Sequence, residues 1–265
     1  LKSLLGLRQI DLYSFNFNLH AEFGALLPEL VESFESVGLK TQRFDALAHD
    51  PLLVPALVAV GKSTVTCGLE GISARMRRFL HKGLDENHIR RSLTLLISAP
   101  IRELKIFLIA TGREHEEDFA EFRELVDFCA ETARSVGRRP RIIFSLTPLV
   151  RFPWTPLEFD EAWSIEAYRP IINRIGSIVN SRQMEFRQSM DLDEWWISQL
   201  LVRGDYPGLW DAVAAVCAKR EFVYYRSLPE SVLGDVREEL VARGVDSRRS
   251  FCGRDASNTG LWAEI

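Results

Sequence analysis

The sequence lacks long apolar segments and is poor in cysteine. No apolar run approaches the roughly 20 residues that a membrane-spanning helix needs, so no contact with a membrane is expected. The four cysteines among 265 residues are Cys67, Cys129, Cys217 and Cys252, and no two of them have C-x-x-C or similar spacing. Widely separated cysteines do not predict a disulfide framework or a structural zinc site, and they are typical of a reduced, cytoplasmic protein.

Histidine and net positive charge are also scarce. The five histidines form no H-x-x-x-H or H-E-x-x-H pattern, so a histidine metal centre is not expected. The net charge of −4 and a pI near 5.8 argue against a protein that binds nucleic acid through bulk charge. With 46% hydrophobic residues, the chain is long enough to form one large core, or one large and one smaller.

Short β-rich runs alternate with helical patterns in the first 160 residues. Strands are predicted within 8–17, 39–47, 63–71, 104–111 and 140–149, with helices between them, including a helix over 22–38 that ends at Gly38. Repeated βα units predict a parallel sheet with helices outside, either a barrel or a doubly wound sheet.

The pattern changes after Phe159. One more strand is predicted within 184–190, and helices are predicted over 160–180, 191–204, 207–220 and 229–243. We therefore expect a domain boundary near residue 160, with residues 1–160 forming the βα domain and residues 161–265 a mainly helical extension.

Ligands of parallel βα proteins bind where the strands end and the loops to the helices begin. The polar residues at these positions are Ser14, Asn16, Asn18, Arg43, Asp45, Glu70, Ser73, Thr111, Ser145 and Thr147. Because this set holds few strong nucleophiles, it predicts hydrogen bonding to a zwitterionic or nucleoside-like ligand.

Structural roles are an alternative for several of these residues. Arg43 and Asp45 have the spacing of an ion pair at the end of a strand. Glu70 precedes a helix, where a carboxylate contributes about 0.5–1 kcal/mol without any ligand. The basic run from Arg75 to Lys82 is typical of a solvated helix face, and Cys67, inside an apolar strand, is typical of core packing.

Five segments resemble motifs of one family, in the order in which that family has them. Residues 68–84, GLEGISARMRRFLHKGL, resemble E-x-G-S-x-R-x-R…-N-K. The other four are TQRFDAL (41–47), similar to S-x-R-x-D; LKIFLIATGREHEED (104–118), similar to L-K-x-Y-F-M-I-G-L-P-G-E-T-x-E-D; SLTPLVRFPWTPLEF (145–159), similar to S-x-N-P-F-x-P-K-P-H-T-P-F-x-W; and LLVRGDYPGLWDAV (200–213), similar to A-R-G-D-R-R-x-x-x-V-I. The family is the radical S-adenosylmethionine (radical SAM) superfamily, in the branch that often carries a cobalamin-binding domain, and the resemblance extends over residues 8–215.

The resemblance implies a partial (β/α)6 barrel of the TIM type, of which strands two to six are visible, followed by the helical extension. It implies an enzyme that binds S-adenosylmethionine (SAM) at the barrel mouth for radical chemistry on a small-molecule or peptide substrate, with cobalamin-dependent methyl transfer or rearrangement as candidate reactions. Glu70 stands where the family contacts the ribose or amino group of SAM, and Ser73 and Arg75 stand at the adjacent positions, where the arginine could pair with the methionyl carboxylate. The segment Ser145–Thr147 matches the strand whose backbone meets adenine, and the loop Ser14–Asn18 matches the loop that binds the amino group.

The chain also departs from the family pattern. It has no C-x-x-x-C-x-x-C, the three closely spaced thiolates that hold the [4Fe–4S] cluster. We therefore expect the cluster ligands upstream of this chain, and any cobalamin-binding domain further upstream. The G-L-P-G turn is replaced by Ala110, Thr111, Gly112 and Arg113, and Trp154 replaces the expected histidine.

Two alternatives remain open from the sequence. A barrel without its cluster loop would be a non-catalytic binding or interaction module. An ordinary βα hydrolase or lyase would use Asp45 and Glu70 as an acid–base pair, which requires both carboxylates in one site and a raised pKa for one of them.

Overall fold

A computed structural model of the protein describes residues 6–12, 19–204, 206–221 and 228–253. Within these ranges the strands are β1 (Gln9–Leu12), β2 (Ser36–Leu39), β3 (Thr64–Glu70), β4 (Glu103–Ala110), β5 (Arg141–Pro148) and β6 (Glu185–Gln188). The helices are α1 (Phe23–Ser33), α2 (Phe44–His49), α3 (Leu53–Ala59), α4 (Ala74–Phe79), α5 (Glu86–Ser98), α6 (Glu116–Ser135), α7 (Ile165–Asn180), α8 (Leu192–Val202), α9 (Leu209–Lys219) and α10 (Glu230–Ala242), with a 3-10 turn at Ser247–Ser250.

The strands form two sheets, and in each sheet neighbouring strands are consecutive in the sequence. β1 pairs with β2 in parallel, and β3 to β6 form a four-stranded sheet in which β3–β4 and β5–β6 are parallel pairs. One parallel bridge between Gln42 and Cys67 connects the segment after β2 to β3. The prediction of a mixed α/β fold with a parallel sheet is confirmed, whereas the described strands do not close into a barrel.

The helix predicted over 22–38 and the strand predicted over 39–47 are wrong in their bounds. The helix α1 ends at Ser33, β2 covers Ser36–Leu39, and residues 44–49 form the helix α2. Gly38 does not end a helix; it pairs with Asp11 in the β1–β2 ladder. A Cβ at Gly38 would lie 1.6 Å from Asp11 Oδ1, so the absence of a side chain at this position leaves room for the Asp11 carboxylate.

The chain divides into two compact units. The first comprises residues 1–109, 113–147 and 173–189, and the second comprises residues 110–112, 148–172 and 190–265. In the first, alternate residues of β4 are buried, and Phe122 of α6 packs edge-on against Phe144 of β5 with ring centroids 5.5 Å apart. The boundary near residue 160 stays a prediction.

The second unit is mainly helical, and Trp195 is the largest fully buried side chain among its described residues. The rings of Tyr168 and Phe251 pack against it with centroids 4.8 and 5.8 Å away, and its indole N–H donates to the Leu149 carbonyl over 2.9 Å. Among the described residues, no helix combines the length and the apolar character that crossing a membrane requires.

Candidate functional site

A cavity of about 360 Å³ lies in the first unit, at the carboxyl ends of β3, β4 and β5. Its lining comprises Thr41, Gln42, Arg43, Gly68, Glu70, Lys82, Phe107, Leu108, Ile109 and Thr147. The volume is within the range of about 300–1,000 Å³ that small-molecule sites occupy. Three of the predicted site residues, Arg43, Glu70 and Thr147, therefore meet around one cavity although they come from separate βα units.

Arg43 and Asp45 form a bidentate ion pair beside this cavity. Arg43 Nε lies 2.9 Å from Asp45 Oδ1, and Nη2 lies 2.6 Å from Oδ2. The bond from the guanidinium holds the pKa of Asp45 below its ordinary value and raises the pKa of Arg43. Asp45 also accepts from the backbone N–H of Ala46 and is not part of the cavity lining. An acid–base enzyme that uses Asp45 as its proton donor is disfavoured, because that role requires a raised pKa.

Glu70 ends β3 in a backbone conformation that is rare for a residue with a side chain. Its φ is +66°, and the β3–β4 register shifts between Gly68 and Glu70. The carboxylate pairs with Lys82, whose Nζ lies 3.1 Å from Glu70 Oε1. The following helix is capped instead by Ser73, whose Oγ accepts from the backbone N–H of Met76 over 3.1 Å. Glu70 thus faces a cation of the cavity lining, and capping does not explain its presence.

Ser73 and Arg75 are held by Asp118 of α6 and are not part of the cavity lining. The Ser73 hydroxyl donates to Asp118 Oδ1 over 2.5 Å, and Arg75 donates from Nε to the same oxygen over 3.2 Å and from Nη2 to Oδ2. Burial raises the pKa of Asp118, but the bonds from Arg75, Ser73 and the His115 N–H outweigh burial and leave it below its ordinary value. The structure gives both predicted site residues a structural partner.

The other predicted residues do not line the cavity either. The Ser145 hydroxyl bonds to the Ser189 hydroxyl next to the β5–β6 pair. Thr111 belongs to the second unit, where its carbonyl accepts from Arg151 over 2.9 Å. Ser14, Asn16 and Asn18 lie outside the described residues.

Lys82 is the most informative residue that sequence reasoning missed. The pattern from Arg75 to Lys82 predicts a solvated helix face, but the Arg77 side chain is buried between Glu86 and Glu121, and Lys82 lines the cavity. A signal was present: Lys82 lies beyond the last residue of α4, so the helical period no longer predicts the direction of its side chain.

The polar groups of the cavity fit an adenosyl ligand, whereas the cysteines of this chain do not fit a [4Fe–4S] cluster. A carboxylate, a guanidinium and hydroxyl groups meet in the cavity, as ribose and amino-acid groups require. By contrast, Cys67 and Cys129 are buried within the first unit, and burial raises the pKa of both thiols, to about 12 for Cys129. Over the described ranges, no group of three histidine, cysteine or acidic residues is arranged to hold a metal ion.

No protein-family model matches this chain, and a search of curated proteins finds no match.

Proposed function

We propose that the cavity at the carboxyl ends of β3–β5 binds SAM, and that the chain is the SAM-binding part of a radical SAM enzyme built on a partial (β/α)6 barrel. The observation that carries the proposal is the convergence of Arg43, Glu70 and Thr147 on one cavity of suitable size. These residues come from three segments that resemble motifs of the family. Each segment follows or ends a parallel strand.

The residues of the chain would bind and orient the ligand. Glu70 offers a carboxylate to the ribose hydroxyls or to the ammonium group, and Thr147 on β5 lies where the resemblance places adenine. Phe107 contributes apolar surface to the same cavity. In the intact enzyme, a [4Fe–4S] cluster would supply the radical chemistry, and this chain carries no C-x-x-x-C-x-x-C to hold it.

We expect Glu70→Gln to weaken SAM binding by about 10- to 100-fold, because a charge-assisted hydrogen bond is replaced by a neutral one. Isothermal titration of the chain with SAM measures this change. The matched control is Glu35→Gln, since Glu35 pairs with Arg8 on the surface and is not part of the cavity lining. Equal affinities of the native chain and Glu70→Gln would place SAM elsewhere, and a chain that binds no SAM would contradict the proposal.

A second function, a non-catalytic binding module, is favoured by one observation. The chain supplies the lining of the cavity, but its four cysteines are widely separated in the sequence, and two of them, Cys67 and Cys129, are buried. Anaerobic reconstitution of the intact protein with iron and sulfide separates the two functions. The enzyme is expected to incorporate four irons and to release 5′-deoxyadenosine from SAM under reducing conditions, whereas the module would bind SAM and leave it intact.

A further inference from the structure

Glu70, Gly68 and Lys82 form one geometric unit, which we call the carboxylate cradle. The Glu70 side chain folds back over Gly68, so that a Cβ built on Gly68 would lie 2.3 Å from Glu70 Oε1. Lys82 Nζ donates to this same oxygen over 3.1 Å, and both side chains are about one-quarter exposed. The position of the Glu70 carboxylate therefore depends on glycine at residue 68, which leaves room for it, and on the ammonium group of Lys82.

The backbone conformation of Glu70 also indicates that the position of its carboxylate is imposed by the surroundings. A φ of +66° is costly for glutamate, and a costly conformation persists only where the surroundings impose it. The register shift in the β3–β4 ladder lies at the same place, between Gly68 and Glu70. Such irregularities often direct a side chain toward a site. Here the redirected side chain is the carboxylate of the cavity.

We propose that Lys82 is a positioning residue that holds the Glu70 carboxylate as an acceptor for the two adjacent hydroxyls of a ribose. This inference rests on the proposed adenosyl site. Within the described residues, Oε1 accepts from Lys82 and Oε2 has no protein partner. A carboxylate has about four acceptor positions, so the pair of oxygens can still accept from two hydroxyl groups.

The cradle also discriminates between the two ligand groups that Glu70 could bind. The charge of Glu70 is already balanced by Lys82, so an ammonium group at the same carboxylate would lie beside a second cation and be repelled. A ribose hydroxyl is a neutral donor and meets no such repulsion. The cradle therefore selects the ribose of the ligand, and the ammonium group must be bound elsewhere.

The test compares adenosine with 2′,3′-dideoxyadenosine, which lacks both hydroxyls, by titration of the whole chain. The native chain is expected to prefer adenosine by about tenfold or more, the value of one well-placed charge-assisted bond. In Lys82→Gln this preference should fall to about twofold or less, with the affinity for the dideoxy compound unchanged, whereas Lys82→Arg should retain most of it. Glu70→Gln should weaken adenosine and SAM by the same factor.

Two further variants separate positioning from a general loss of structure. Gly68→Ala keeps Lys82 but displaces the carboxylate, and only the end of a flexible side chain has to move, so we expect a folded chain that has lost the preference. Lys219→Gln is the control, because Lys219 is an exposed lysine of the second unit. The carboxyl carbon resonance of Glu70, measured by NMR without ligand, should shift in Lys82→Gln and Gly68→Ala and stay in place in Lys219→Gln.

The outcomes are distinct. A preference for adenosine that survives in Lys82→Gln and Gly68→Ala overturns the role of the cradle and leaves the adenosyl site standing. Loss of the preference in the control Lys219→Gln, together with its loss in Lys82→Gln, also overturns the role of the cradle. If the native chain binds neither nucleoside, the proposed function fails, and the cradle inference fails with it.

Discussion

Replacement of Asp118 by alanine is expected to lower the free energy of unfolding of the first unit by about 2–4 kcal/mol, because a buried carboxylate that accepts from three donors is removed. The Asp118 side chain is 2% exposed and accepts from Ser73, from Arg75 and from the backbone N–H of His115. Without it, the Ser73 hydroxyl loses its acceptor and the first turn of α6 loses its cap. Urea unfolding followed by far-UV circular dichroism measures the loss, and amide hydrogen exchange locates it.

Two variants and a pH series make this prediction specific. Asp118→Asn keeps the shape of the side chain and one acceptor oxygen, so its free energy of unfolding should fall less than that of Asp118→Ala. Asp127→Ala breaks a half-exposed ion pair with Arg182 and should cause a much smaller loss. An unchanged transition in Asp118→Ala would contradict the network.

The pKa of Asp118 is lowered in the folded protein, so its stabilising contribution is present above the unfolded pKa of about 3.9. It is lost as the pH falls through the lower folded value. The difference between the native chain and Asp118→Asn should therefore be constant between about pH 8 and pH 5, and should shrink below about pH 4. A difference that grows on acidification would contradict the sign of the shift.

Sequence periodicity predicted the βα units between β3 and β5 because each element there has a clear pattern. β3 and β5 are apolar runs, and the helices between them keep three- and four-residue spacing. The convergence of Arg43, Glu70 and Thr147 was predictable for the same reason, since parallel strands bring their carboxyl ends to one edge.

The partners of the predicted residues were not predictable, because they are far away in the chain. Ser73 and Asp118 are 45 residues apart, and nothing in the local pattern of either residue indicates the other. The role of Gly38 is not predictable for a related reason: glycine ends helices and also leaves room for a neighbouring side chain, and only the position of Asp11 distinguishes the two uses. The direction of the Lys82 side chain could be predicted only if the end of α4 were known.

Arg151 is expected to be as important for the second unit as Asp118 is for the first. Its side chain is fully buried and donates to the Tyr168 hydroxyl over 2.6 Å, to the Thr111 carbonyl over 2.9 Å and to Asp160 Oδ2 over 3.1 Å. Arg151→Met would remove all three of these bonds and the buried guanidinium beside Asp160, and should lower the free energy of unfolding of the second unit by about 3–5 kcal/mol. Arg151→Lys should lose part of this, because an ammonium group lacks the planar fork of donors.

Tryptophan fluorescence measures the effect in the right place, because all six tryptophans fall within the sequence ranges of the second unit. The matched control is Arg243→Met. Arg243 pairs with Glu239 in the same unit, but the two side chains are 40% and 34% exposed, so the expected loss is about 1 kcal/mol or less. If Arg151→Met and Arg243→Met shift the fluorescence transition equally, the buried arginine does not organise this unit. If only Arg151→Met shifts it, and the carboxylate network of the first unit keeps its own transition, the two units are stabilised independently by two separate buried ion networks.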